Sequence, residues 1–222
     1  MPLDALIFDF DGLIVDTETP EVMVWREVFR EYGQVYPDTL WKEMIGRGAE
    51  EVKQSPLDLL NSLTEGKLDI EAVDKARQRK LYNMIACEPV RRGVLSLLKE
   101  AKAAGLRLGV ASSSKHDWVD GHLQRLGLSQ YFNCVVCGDD SPRAKPFPDI
   151  YLRSVSKLKV GTSEAIAFED SPAGIAAAKA AGLFVIAVPN SMTTNLDLTQ
   201  ADLRFDSLDG VGIGRLFEIF HF

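Results

Sequence analysis

Two aspartates two positions apart, Asp9 and Asp11, follow the apolar run Ala5-Leu6-Ile7-Phe8 and precede Gly12, with Asp16 close behind. A short apolar run of this kind reads as a buried strand. Both carboxylates then stand at its carboxyl end, where open α/β sheets hold their ligands, and Gly12 lets the backbone turn away. One Asp there is an ordinary turn or helix cap. Two repel each other unless a cation joins them or one keeps its proton. A hard cation such as Mg²⁺ takes oxygen ligands of this kind, and a carboxylate can also attack phosphorus to form an acyl phosphate.

Three more strand ends carry polar groups. Ser112 follows Gly-Val-Ala, where its hydroxyl and the next backbone N–H groups can hold phosphate oxygens or simply cap a helix. Lys145, in Ala-Lys-Pro-Phe-Pro-Asp, is presented by a backbone that two prolines restrict; its charge can offset the Asp9 carboxylate and a phosphate, and a solubilising surface lysine is the bland alternative. Glu169 and Asp170 end another apolar strand before Ser171-Pro172, where they either cap the next helix or complete an oxygen shell with Asp9. The four sites together are far more specific than any one.

Other chemistries fit poorly. Gly109-Val-Ala-Ser-Ser lacks the G-x-S-x-G elbow, and His116, His122 and His221 occupy helical or terminal positions, which disfavours a Ser-His-Asp hydrolase. Cys134 and Cys137 lie in a β-branched segment that reads as a strand. Residues three apart on a strand point to opposite faces, roughly 10 Å apart at about 3.3 Å per residue, so a shared metal or disulfide is not expected.

The elements that must position these residues follow from periodicity. After Gly12 the pattern turns helical over Thr17 to Tyr32, then Pro37 to Ile45 and residues 69 to 86, with a third helix interrupted at Ser55-Pro56. No strand signal appears from 15 to 87, a stretch too long for a βα connection. Residues 15–87 are therefore expected to form an inserted helical cap domain, hinged near 13–18 and 87–93. From Gly93 onward helices and strands alternate: strands at 106–111, 134–137, 165–168 and 183–188, helices at 94–104, 116–126, 150–158 and 171–181, a short edge strand near 202–205 and a terminal helix over 210–222. That alternation predicts an α/β fold, a doubly wound, Rossmann-like parallel-sheet core made of residues 1–14 and 88–222.

The 222 residues fit one large domain or one domain carrying an insertion, and 46% hydrophobic with 26% charged residues match a globular chain. A formal charge of −7 argues against a nucleic-acid partner. The start Met-Pro-Leu-Asp carries no signal-peptide pattern, no run reaches membrane-span length, and three cysteines fit a reducing compartment, so a cytoplasmic monomer is expected.

The motifs Asp9-Phe-Asp11-Gly-Leu-Ile-Val-Asp-Thr-Glu, Val-Ala-Ser112-Ser113-Ser, Lys145-Pro-Phe-Pro-Asp and Glu169-Asp170-Ser-Pro-Ala-Gly174 resemble, in order, the four motifs of the haloacid dehalogenase superfamily. The resemblance covers nearly the whole chain and is greatest to the β-phosphoglucomutase-like phosphatases with a helical cap. It implies that Asp9 is the nucleophile and Asp11 the acid/base. Ser112 and the Ser113 backbone would hold the phosphoryl group beside Lys145. Mg²⁺ would be bound by Asp9, the Asp11 main-chain carbonyl and Asp170, with Glu169 in or near the shell. The expected activity is hydrolysis of a small phosphorylated metabolite, such as a sugar phosphate, through an aspartyl-phosphate.

Within that resemblance, Asp11 speaks against a dehalogenase, since displacing a halide needs no protonated oxygen. A phosphomutase is the main rival, but mutase members carry a histidine in the first cap segment and Thr17-Glu-Thr-Pro-Glu21 has none. A non-catalytic phosphate-ligand binding protein on the same fold is the third reading. Arg91-Arg92-Gly93 departs from relatives that place a proline before that glycine. Thr17, Trp25, Trp41, Arg47 and Lys80 are the cap candidates for facing substrate, Arg47 foremost because it lies between Gly46 and Gly48.

Overall fold

The computed structural model describes residues 2–47 and 52–220, so Gly48 and His221 lie outside the described residues. Six strands form one parallel sheet in the order β3-β2-β1-β4-β5-β6: β1 (Ala5–Phe8), β2 (Arg107–Ala111), β3 (Cys134–Val136), β4 (Ala165–Glu169), β5 (Phe184–Ala187) and β6 (Leu203–Arg204). β1 is central, pairing Ala5 with Arg107 on one side and with Ala165 on the other. Strand order reverses between β1 and β4, and at such a switch point the loops leave a crevice above the carboxyl ends. Asp9 and Glu169 stand there.

Alternation along the strands builds two layers. Leu6, Phe8, Val110 and Phe168 face a core shared with α5 (Val94–Ala103) and α6 (His116–Arg125), and Phe8 stacks on Phe168 at 4.9 Å. Ala5, Ile7 and Ala167 face the opposite core, closed by α7 (Asp149–Leu158) and α8 (Pro172–Ala180). Cys137 belongs to the first layer and Cys134 to the second, as the strand argument requires. The terminal helix α9 (Ile213–Phe220) buries Leu216 in the first layer, and β6 is a short parallel edge. The fold is the doubly wound α/β architecture that the alternation predicted.

Between β1 and α5 the chain runs through α1 (Glu18–Glu31), α2 (Asp38–Met44), α3 (Pro56–Leu63) and α4 (Ile70–Ile85). Among the described residues this stretch holds no strand beyond single bridges of Val15 to Asp11 and Val90, which set the outgoing and returning chain side by side. Ser55-Pro56 does not interrupt α3 but starts it: Pro56 fills the first turn, where no N–H is needed, and the Ser55 side chain accepts from the Asp58 N–H. α4 begins in the same manner, with the Asp69 side chain accepting from Ala72. No described helix is long and apolar enough to cross a membrane.

Candidate active site

Asp9 is 5% exposed, and its Oδ1 accepts from Lys145 Nζ at 2.5 Å. Lys145, only 1% exposed, also donates to Glu169 Oε1 at 2.6 Å, and the Tyr151 hydroxyl donates to that same oxygen at 2.5 Å. Burial alone would lower the Lys145 ammonium, but the Asp9 and Glu169 carboxylates outweigh it and hold its pKa above the lysine range. Burial pushes Asp9 the other way, well above the carboxylate range; Lys145 opposes this, and Glu169, Asp170 and Asp11 add to it. The solubilising-surface alternative for Lys145 is therefore excluded. Removing one partner of such a buried pair costs about 3–5 kcal/mol, because the other charge stays behind.

Asp170, 1% exposed, accepts from Asn190 Nδ2 at 2.8 Å through Oδ2, whereas its Oδ1 has no hydrogen-bond partner among the described residues. The same Asn190 amide reaches Glu18 Oε2 at 2.5 Å and the Gly12 carbonyl at 3.2 Å. An amide nitrogen carries two hydrogens, so three acceptors over-subscribe it. Burial raises the pKa of both Glu18 and Asp170 well above the carboxylate range, with Asn190 opposing at Glu18. Gly12 makes the gathering possible. Its φ is +81°, and a Cβ there would lie 2.5 Å from Asp170 Oδ2 and 2.7 Å from Asn190 Nδ2.

Carboxylate oxygens of Asp9, Glu169 and Asp170 lie within 4.8 Å of one another. An all-oxygen set with an orphaned, buried Asp170 Oδ1 fits a hard divalent cation such as Mg²⁺. Asp9 and Asp170 have ligand capacity to spare. Glu169 has less, because its oxygens already serve Lys145, Tyr151, the Asp170 N–H at 3.3 Å and the Ser171 hydroxyl at 3.4 Å.

Asp11 is held by four donors. Thr17 Oγ1 at 2.9 Å and Trp118 Nε1 at 2.8 Å reach Oδ1, and Ser112 Oγ at 3.2 Å and Ser114 Oγ at 2.6 Å reach Oδ2. Thr17 lines the cavity and is buried against the acid/base candidate. Ser112 Oγ also accepts from the Ser114 N–H at 3.0 Å, which shapes the turn after β2. Neither helical histidine joins this network: His116 lies between Asp120 and Asp140, 2.8 Å from each, and His122 is buried against Phe10 and Trp118.

A cavity of about 240 Å³ opens above these groups. Asp9, Asp11 and Lys145 line its floor, and Glu21, Trp41 and the exposed Arg47 line the helical side. Ser113 lines it too, its hydroxyl reaching the Gly46 carbonyl at 3.4 Å. Ser112, Glu169 and Asp170 lie fully buried behind this lining. Trp25 and Lys80 are elsewhere: Trp25 packs under the Arg77 guanidinium at 4.7 Å, and Lys80 bridges α4 to Glu27 and Glu31 of α1 at 2.8 and 2.6 Å. Lys80 is drawn away from the cleft because two carboxylates on the neighbouring helix satisfy it.

Glu18, Trp118, Tyr151 and Asn190 belong to the site although their sequence contexts do not single them out. Asn190 had a usable signal, since it closely follows β5 at the carboxyl edge of the sheet. Arg91 donates to the carbonyls of Gly12, Val188 (3.4 Å) and Pro189 (2.8 Å) and so ties the Gly12 turn to the Asn190 loop.

Residues 6–188 match the family model described as haloacid dehalogenase-like hydrolase. The chain is 39% identical over 216 residues to YhcW of Bacillus subtilis (strain 168), covering 97% of both chains. It is 33% identical over 208 residues to the validoxylamine A 7'-phosphate phosphatase of Streptomyces hygroscopicus subsp. limoneus, covering 92% of this chain and 94% of that one. The crystal structure of CbbY from Rhodobacter sphaeroides in complex with phosphate superimposes with a TM-score of 0.77 at 28% identity, covering 96% of this chain and 99% of that one. With its four motifs converging at one sheet edge, the chain belongs to the haloacid dehalogenase-like hydrolase family.

Proposed function

We propose that this hydrolase is a Mg²⁺-dependent phosphatase that cleaves a small phosphorylated metabolite through an aspartyl-phosphate. The observation that carries the reading is the buried Asp9–Lys145–Glu169 chain beside Asp170, whose Oδ1 has no partner among the described residues. Lys145 occupies Asp9 Oδ1, so Oδ2 is the oxygen free to attack phosphorus. Lys145 then faces the charge that develops on the phosphoryl oxygens, and Ser112 with the Ser113 N–H orients them. Asp11 gives its proton to the leaving oxygen as the P–O bond breaks. It next takes a proton from the water that attacks the aspartyl-phosphate. Asp9, Asp170 and the Asp11 carbonyl would hold the Mg²⁺, with Glu169 anchoring Lys145 at its edge. The ion supplies charge neutralisation that lets a phosphate dianion approach two carboxylates.

Residues 15–87 act in this reading as the cap that closes over the substrate, moving about 13–18 and 87–93, in a cytoplasmic monomer. The cavity volume, about 240 Å³, is below the roughly 300–1,000 Å³ of drug-sized sites, which supports a small ester such as a sugar phosphate. Glu21 and Trp41 offer a carboxylate and an indole to its hydroxyls, with Arg47 at the rim. Glu21, and no histidine, lines the cavity on α1, which favours hydrolysis over phosphoryl return. Phosphate release from a panel of phosphomonoesters should require MgCl₂ and disappear in Asp9→Asn. Turnover surviving in that variant would sink the mechanism, and isomerisation of a hexose phosphate without phosphate release would make the protein a mutase.

A further inference from the structure

We infer that Trp118 is a positioning residue for Asp11, orienting its carboxylate so that Oδ2 is the oxygen that delivers the proton to the leaving group. The inference rests on the phosphatase reading above. Of the four donors around Asp11, three are hydroxyls, which rotate and can donate or accept. The fourth, the Trp118 indole N–H, can only donate, and it lies 2.8 Å from Oδ1. A proton on Oδ1 could be met only by the Thr17 hydroxyl, and it would leave the indole N–H facing the hydroxyl-type oxygen of the carboxyl group, a weaker acceptor than the carbonyl-type one. Oδ2 faces Ser112 and Ser114, whose hydroxyls can turn and accept when that oxygen is protonated. Ser114, which bonds Oδ2 at 2.6 Å, lines the cavity, so a proton on that oxygen stands beside the substrate space.

The indole is itself braced. Its ring meets the His122 imidazole edge-on at 4.5 Å, and His122, only 3% exposed, lies against Phe10 at 6.2 Å. Phe10 is the residue between Asp9 and Asp11, so α6 and the end of β1 lock one another. Trp118 also lines the cleft opposite α1. The step that depends on this arrangement is simple: the Oδ2 proton moves to the ester oxygen, the P–O bond breaks with its electron pair on that oxygen, and the Asp9 oxygen–phosphorus bond forms.

The test is the dependence on leaving group. Nitrophenolate departs with little help from a proton, whereas an alkoxide from an alkyl phosphate needs one. In Trp118→Phe, which keeps an aromatic ring against His122 but loses the N–H, kcat/KM for an alkyl phosphate such as glycerol phosphate should fall about 10–100-fold. The loss for p-nitrophenyl phosphate should be several-fold smaller. The ratio of the two, read on one sample, does not depend on how much of the variant has folded; if Trp118→Phe yields too little protein, Trp118→Leu reads the same ratio. Equal losses on both substrates, or no loss, would overturn the assignment. If the unmodified protein cleaves neither ester, the phosphatase reading itself fails, an outcome distinct from an unchanged ratio.

Discussion

Replacing Asp170 by Asn tests the claim that the site is built around a cation. Asp9, Glu18, Glu169 and Asp170 are each at most 5% exposed, and among the described residues Lys145 and the half-buried Arg91 are the cations acting on Asp9 and Asp170. Two carboxylates whose oxygens lie within 4.8 Å of each other repel by about 3.5 kcal/mol or more at an effective dielectric of roughly 20. Proton uptake relieves part of that, and the Asn190 bond to Asp170 is weakened by about 1 kcal/mol when its acceptor becomes neutral. A net gain of about 1–2 kcal/mol is left. For a chain of this size that raises Tm by about 2–8 °C in EDTA. The sign with pH follows from the raised pKa values of Asp9, Glu18 and Asp170. Groups raised in the fold stabilise it below their unfolded values, near 4, and lose that contribution as pH rises through the folded values. The advantage of Asp170→Asn should therefore widen from about pH 5 to pH 8. Mg²⁺ at a hundred times its Kd should stabilise the unmodified protein by about 2.7 kcal/mol and leave the variant nearly unmoved. Thermal unfolding with EDTA or MgCl₂ across that pH range reads both effects. A variant that melts below the parent in EDTA at pH 8, or that keeps the parent's Mg²⁺ shift, would refute the reasoning.

Two further substitutions probe the parts that hold the cleft together. Gly46 has φ +72°, and a Cβ there would lie 2.1 Å from Ser171 Oγ, so Gly46→Ala must lift the α2 end off the sheet; steady-state kinetics should show KM raised about tenfold or more. Arg91→Ala removes a guanidinium from the carbonyls of Gly12, Val188 and Pro189, which should lower stability by about 1.5–3 kcal/mol in urea titration.

The strand ends were legible because the chemistry is local: apolar run, carboxylate and turn residue lie within a few positions at β1 and β4. The helical block was legible for a similar reason, since periodicity and caps are short-range signals. What could not be read are meetings between distant segments. Glu18 looked like one more acid in an acidic stretch until Asn190 arrived beside it. Trp118 sat among charged helical residues, and only folding brings its indole to Asp11. Lys80 shows the converse, a cation equally suited by type to the cleft and to the neighbouring helix, which the Glu27 and Glu31 carboxylates claim. Pro56 starts α3 rather than interrupting it, because proline breaks a helix in its interior and favours it in its first turn.

The order of the sheet has a consequence for synthesis. β1 leaves the ribosome first, yet its neighbours begin only at Arg107 and Ala165, and Asn190 comes later still. A nascent chain therefore carries Asp9 long before it carries Lys145, Asp170 or the Asn190 amide. Such non-local pairing folds slowly, because loop closure must come before the contacts that reward it. A truncated chain that ends before β4 has Asp9 in hand and no site to use it.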